Sequence, residues 1–92
     1  MMRAGKVACQ LRELCNTDEV KRLLNTNRVI VTLSIGRNEL ILHTDETIDE
    51  ETAIKLSSYL QKKMTDTSLM YNVEEMEDEY VIVIEEANES VD

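Results

Sequence analysis

Tyr80-Val81-Ile82-Val83-Ile84 is the stretch that decides the fold. It alternates no polar residue with its apolar ones, and acids bound it on both sides, Glu77-Asp78-Glu79 before and Glu85-Glu86 after. β-branched residues in an unbroken run favour a strand, and a strand without a polar face lies inside a sheet or is covered on one side by another chain. The run is therefore either an interior strand or one covered by a second copy, and the rest of the chain must supply its neighbours within the sheet.

Working outward, Leu69, Tyr71 and Val73 alternate with Met70 and Asn72, so a third strand precedes it, with Glu77-Asp78 as the turn. Upstream, Thr47-Ile48-Asp49-Glu50 has the form of a capping box and starts a helix that runs to about Met64. Ala53, Leu56, Leu60 and Met64 form its apolar stripe, with Tyr59 at the margin and Lys55, Lys62 and Lys63 outside it. Before that helix, Val29, Val31, Leu33 and Ile35 alternate with Ile30, Thr32 and Ser34. Gly36-Arg37-Asn38 turns the chain, and Glu39-Leu40-Ile41-Leu42-His43 returns. At the N-terminal end, Val7, Ala8, Leu11, Leu14 and Cys15 share one face of a helix over about 3–15. Val20, Leu23 and Leu24 project nearly opposite, so the helix must break; Asn16-Thr17-Asp18 can end one helix and cap a second over about 18–25. The expectation is an α+β domain. It has a four-stranded, mostly antiparallel sheet of two hairpins, a long helix between them, and one or two N-terminal helices packed on the sheet. The whole of 1–92 forms one domain, with a helical segment at 1–25, a strand-strand-helix-strand-strand unit at 28–86 and a frayed tail at 87–92.

Composition excludes several functions. A chain of 92 residues buries roughly two-thirds of its unfolded surface, which leaves little room for a catalytic cavity beside the core. Its two glycines, Gly5 and Gly36, cannot build a glycine-rich phosphate loop. Apolar runs stop far short of the roughly 20 residues that span a bilayer, and no apolar leader stretch stands near Met1, so a cytoplasmic protein without membrane contact is expected. Cys9 and Cys15 fit neither the spacing of a zinc or redox motif nor a disulfide framework, and on one helix they point about 120° apart, so they read as buried or idle thiols.

Catalysis would have to use His43, the single histidine, and would require a concave pocket that sets it beside cysteine or carboxylate groups. No local motif marks such a pairing, and the chain reads as non-enzymatic. Asp45-Glu46 and Asp49-Glu50-Glu51 offer hard oxygen ligands without the ligand alternation or central glycine of a calcium loop, so no metal or cofactor is expected. Two short helices followed by a hairpin allow a winged-helix DNA reader facing phosphate with Lys21, Arg22, Arg28 and Arg37. Four cations on a body of net charge -9 make that attraction weak, and direct nucleic-acid binding is not expected.

Charge is where the sequence speaks most clearly about function. Residues 1–44 hold seven basic and four acidic residues; residues 45–92 hold three and fifteen. Glu74, Glu75, Glu77, Asp78, Glu79, Glu85 and Glu86 gather around one hairpin and its ends, with no lysine or arginine after Lys63. Such a field steers a protein onto a positive surface, where carboxylates take positions that phosphates would fill. In size and charge, though by no motif, the chain resembles small acidic inhibitors that mimic nucleic acid. The expected function is an inhibitor or adaptor that engages a basic partner protein through Glu74, Glu75, Glu77, Asp78 and Glu79, with Asp45, Glu46, Asp49 and Glu50 from the helix start. The alternative is a structural homodimer that buries Val81 and Val83 of the two-faced strand against a second copy.

Overall fold

The computed structural model describes residues 4–25, 28–34, 38–65 and 68–86. The expected Gly36-Arg37 turn, the end of the first strand at Ile35 and the tail at 87–92 lie outside these residues. Helix α1 spans Ala4–Cys15 and buries Val7, Ala8 and Leu11. It ends where the amides of Asn16 and Thr17 bond back to the carbonyls of Glu13 and Leu14, both at 3.2 Å. Helix α2 then spans Asp18–Leu24, with Thr17 at its N-cap position. The Thr17 hydroxyl does not cap α2 as the sequence suggested; it donates to the Leu14 carbonyl at 2.7 Å and so closes the turn behind it. Asp18 and Glu19 stand in the first turn of α2, where the helix dipole favours negative charge.

Strand β1 (Val29–Ser34) and strand β2 (Glu39–Thr44) form the first hairpin. Helix α3 follows at Glu50–Lys63. Its N-cap is Asp49 rather than Thr47: the Asp49 carboxylate accepts the Thr52 amide at 2.9 Å. Both residues have cap chemistry, and packing decides between them. Starting at Asp49 places half-buried Ile48 just before the cap and fully buried Ala53 four residues into the helix, the two positions of a hydrophobic staple. At the other end the Met64 amide closes the helix onto the Leu60 carbonyl at 2.9 Å.

Strands β3 (Leu69–Met76) and β4 (Glu79–Glu86) make the second hairpin, and the sheet order is β1-β2-β4-β3, antiparallel throughout. The four-stranded α+β architecture with a helix between two hairpins is thus present, and β4 lies inside the sheet, the first of the two placements open to Tyr80–Ile84. Leu40, Leu42, Leu69, Ile82 and Ile84 pack into one core with Val7, Leu11, Val20, Leu24, Leu56 and Leu60 from the helices. Each large side chain so enclosed stabilises the fold by about 1.5–3 kcal/mol. The helices therefore lie on one face of the sheet. Residues of opposite parity, among them Ile30, Thr32, Ile41, His43, Met70, Glu74, Val81 and Val83, form a second face outside that core. Tyr59 ties the helical layer together: its hydroxyl donates to Glu19 at 3.1 Å and lies 3.3 Å from that of Thr17.

Candidate functional site

Antiparallel pairing brings the expected acids to one end of the sheet. Strand β2 runs to its end at Thr44 beside the start of β4, since Leu42 pairs with Ile82 and Ile41 with Val83. Asp45 and Glu46 leave the sheet there, and Asp49 and Glu50 begin α3 from the same end. Strand β3 arrives with Glu74 opposite Val81, Glu75 opposite Tyr80 and Met76 opposite Glu79, so that Glu77 and Asp78 form the tip. All nine residues expected to bind a partner accordingly share this end. They do not share one face. Glu74 and Glu79 stand on the open face with Val81, whereas Glu75 and Tyr80 alternate onto the helical face.

The Tyr80 phenol reports the convergence. It is held above its ordinary pKa by the charge of Glu75 first and of Glu50 second, acids carried by β3 and by α3, with a smaller part from desolvation. Asp49 is held below the usual carboxylate range, chiefly by its bonds with the side chain and the amide of Thr52. Among the described residues Glu74, Glu75, Glu77, Asp78 and Glu79 make no ion pair; a pair does join Glu51 to Lys55, one helical turn apart at 3.4 Å on the exposed surface, and is worth little. Glu85 and Glu86 do not belong to the cluster. They pair with Met70 and Leu69 at the far end of β4, about 20 Å away at 3.3 Å per residue.

The tip itself is unusual. Glu77 has φ 50 and Asp78 φ 68, so both central residues of a two-residue hairpin loop lie in the left-handed region. Turns of that kind favour Asn-Gly, and a long-chain glutamate there is strained.

On the open face beneath the tip lies a groove of about 540 Å³ lined by Thr32, Ile41, His43, Met76, Glu77, Glu79 and Val81. This is the concavity that an enzymatic reading would require, since it sets His43 beside two carboxylates. His43 Nε2 stands 3.1 Å from the Thr32 hydroxyl across the β1–β2 hairpin. That is the distance of a nucleophile and its base, but among the described residues no third group orients the other ring nitrogen, and a hydroxyl so placed lacks the arrangement that activates it. The groove offers an apolar floor, two acids on its rim and a ring fixed by one hydrogen bond, which suits the stem and charged end of a lysine or arginine side chain. Sequence reasoning missed its makers, Thr32, Ile41 and Met76.

Val81 and Val83 are only 4% exposed each, against the expectation that they present a bare surface to a second copy. In the interior of the sheet they are flanked on both sides: Ile41 and Asn72 pair with Val83, Glu74 pairs with Val81, and His43 shares the groove with Val81. Short side chains between longer ones have little surface left to bury. The exposed apolar side chains of the sheet are instead Ile30 and Leu33 on β1 and Met70 on β3, the two edge strands.

Among the residues named for a winged helix, Lys21, Arg22 and Arg28 are exposed at the α2–β1 corner, and Arg37 lies outside the described residues. The thiol expected to be idle at Cys15 is half-buried, and burial pushes its pKa up to about 11; Cys9 is exposed, contrary to a buried reading. No group of three or more metal-ligating side chains occurs among the described residues, and no helix there is long and apolar enough to cross a membrane. Comparison of the chain with family models, with curated proteins and with solved structures finds no match, so geometry alone carries the functional reading.

Proposed function

We propose that this protein is a non-enzymatic binding module, an inhibitor or adaptor, whose acidic end engages a basic surface of a partner protein at positions that nucleic-acid phosphates would otherwise occupy. One observation carries the reading: three separate segments, the β2–α3 connection, the start of α3 and the β3–β4 hairpin, deliver carboxylates to a single end of the sheet, and among the described residues those of the hairpin, Glu74, Glu75, Glu77, Asp78 and Glu79, make no ion pair. Each like charge close by costs stability in the free protein, and a cationic partner converts that cost into attraction. The strained Glu77-Asp78 tip points the same way, because a residue kept where the backbone disfavours it is a mark of functional use.

The test is affinity capture from the native cell on the immobilised chain, at about 0.15 M and about 0.5 M salt, where screening shortens from roughly 8 Å to a few Å. The chain carrying Glu75→Lys, Glu77→Lys and Glu79→Lys serves as comparison. A partner retained at low salt, released at high salt and lost by the triple variant supports the reading. A partner whose affinity and salt slope are the same for both chains removes it.

A further inference from the structure

Opposite in sign to the acidic end, a cavity of about 660 Å³ lies where α1, α2 and the start of β1 meet. Arg12 of α1, Lys21 of α2 and Arg28 ahead of β1 line it, together with the amides of Asn16 and Asn25. Among the described residues no carboxylate lines it, and none of the three cations takes part in an ion pair, in a chain of net charge -9. Helix-end electrostatics account for part of this, since Arg12 and Lys21 stand in the last turns of their helices, where cations suit the dipole. They do not account for Arg28, which belongs to neither helix, nor for a shared concavity free of acids.

We propose that this cavity binds a small organic oligophosphate, with its phosphate groups held by Arg12, Lys21 and Arg28 and its organic part against the half-buried wall of Cys15 and Val29. Two guanidinium forks match phosphate oxygens bidentately, a lysine adds a point charge, and amide groups supply neutral donors. The volume falls within the range of small-molecule sites and exceeds what a bare phosphate fills. Asp45, whose amide bonds to the Arg28 carbonyl at 3.0 Å, and Glu46 and Asp49, which line a neighbouring hollow with Asn25, lie close by but outside the lining, so the wall that an anion meets carries three cations and no acid. A concavity of this kind selects a compact polyanion over a duplex, which needs an extended basic surface. The neutral Cys15 thiol is wall and not nucleophile.

The experiment is isothermal titration of the whole chain with ADP, inorganic pyrophosphate, orthophosphate and a short DNA duplex at physiological salt, repeated on three variants. Saturable ADP binding, tighter than that of orthophosphate and of the duplex, is expected. Arg12→Gln or Arg28→Gln then weakens it by about 10–100-fold, the size of one charge-assisted contact. Arg22→Gln, a neighbouring exposed cation outside the lining, leaves it unchanged. Should an arginine variant fail to fold by circular dichroism, Asn16→Asp sets a carboxylate in the wall at an exposed position and must abolish binding. No saturable binding up to about 10 mM ligand, an equal loss in Arg22→Gln, or tighter binding of the duplex each overturns the proposal. These outcomes do not depend on the acidic end, so its reading stands or falls separately.

Discussion

Replacing the hairpin tip Glu77-Asp78 by Asn-Gly should make the protein more stable while weakening its proposed recognition. Both residues sit at positive φ, 50 and 68, and a left-handed conformation costs an ordinary L-residue roughly 1–2 kcal/mol. Asparagine occupies that region several-fold more readily, so Glu77→Asn recovers about 0.5–1 kcal/mol. Asp78→Gly relieves the second position but loses about 0.5–1 kcal/mol to the greater freedom of glycine in the unfolded chain, and so comes out near neutral. Removing two negative charges from among Glu74, Glu75 and Glu79 adds a few tenths, given about 1 kcal/mol for a pair 4 Å apart in water and less at longer range. The sum is about 1–1.5 kcal/mol. For a chain of this size that corresponds to roughly 4–12 °C in Tm. Thermal and urea melts at low and high salt read the total, and Glu77→Gln separates the causes, because it removes the charge and keeps the unfavourable backbone. A double variant no more stable than the parent would refute the reasoning. So would a Glu77→Gln variant that supplies the whole gain and loses it in salt, for then charge and not backbone geometry was the source.

Three further outcomes follow from the same structure. Replacing Glu75 or Glu50 by Gln should lower the Tyr80 pKa toward its ordinary value, Glu75→Gln by more, in an ultraviolet titration of the phenol; a Tyr80 insensitive to Glu50 would mean that helix and hairpin acids do not meet. Asp49 has its pKa lowered in the fold, so its stabilising contribution is present above the unfolded aspartate value of about 3.9 and is lost as pH falls through the lower folded value. Asp49→Ala should therefore destabilise the protein at neutral pH and have little effect in strong acid, whereas Thr47→Ala should act weakly at both, as melts across pH would show. Of the two thiols, exposed Cys9 should react rapidly with a thiol reagent and Cys15, half-buried and with its pKa pushed up to about 11, slowly until the protein unfolds; equal rates would contradict the packing of α1.

How much of this the sequence carried depended on whether the signal was local. Alternation in 29–35 and 69–73, the two-faced run at 80–84 and the stripe at Ala53, Leu56 and Leu60 each follow from the period of one element, and the sheet with its helical cover followed from them. The start of α3 shifted by two residues because Thr47 and Asp49 satisfy the same capping chemistry, and only the fit of Ile48 and Ala53 to the core separates them. Glu85 and Glu86 stand at the ends of the second hairpin, as the sequence suggests, but the length of the strand sets them far from its tip. Val81 and Val83 were read as bare because an apolar residue on a second face is exposed only if its neighbours are short. The groove escaped notice for a related reason: it arises where β2 meets β4, and the pairing of Ile41 with Val83 across a whole helix and strand is not encoded in any local pattern. The basic cavity could have been suspected from the surplus of lysine and arginine before residue 44, but three elements had to pack before Arg12, Lys21 and Arg28 met.

In the proposed function the acids and the groove at the tip would divide the work of recognition by range. At separations of a screening length or more, the carboxylates act together as a diffuse field that accelerates encounter and orients a basic surface, and exposed pairs of that sort add little to the lifetime of a complex. Residence depends on what is desolvated after contact. In the proposed function the groove would supply that second stage, because half-buried Ile41 and Met76 can cover an aliphatic stem while Glu77 and Glu79 meet the charge at the stem's end. Glu77 would take part in both stages, since it belongs to the acidic tip and lines the groove. A strained backbone at that one residue is then intelligible: Asn-Gly would turn the hairpin more comfortably, but only a long acidic side chain at the tip reaches outward and still borders the groove.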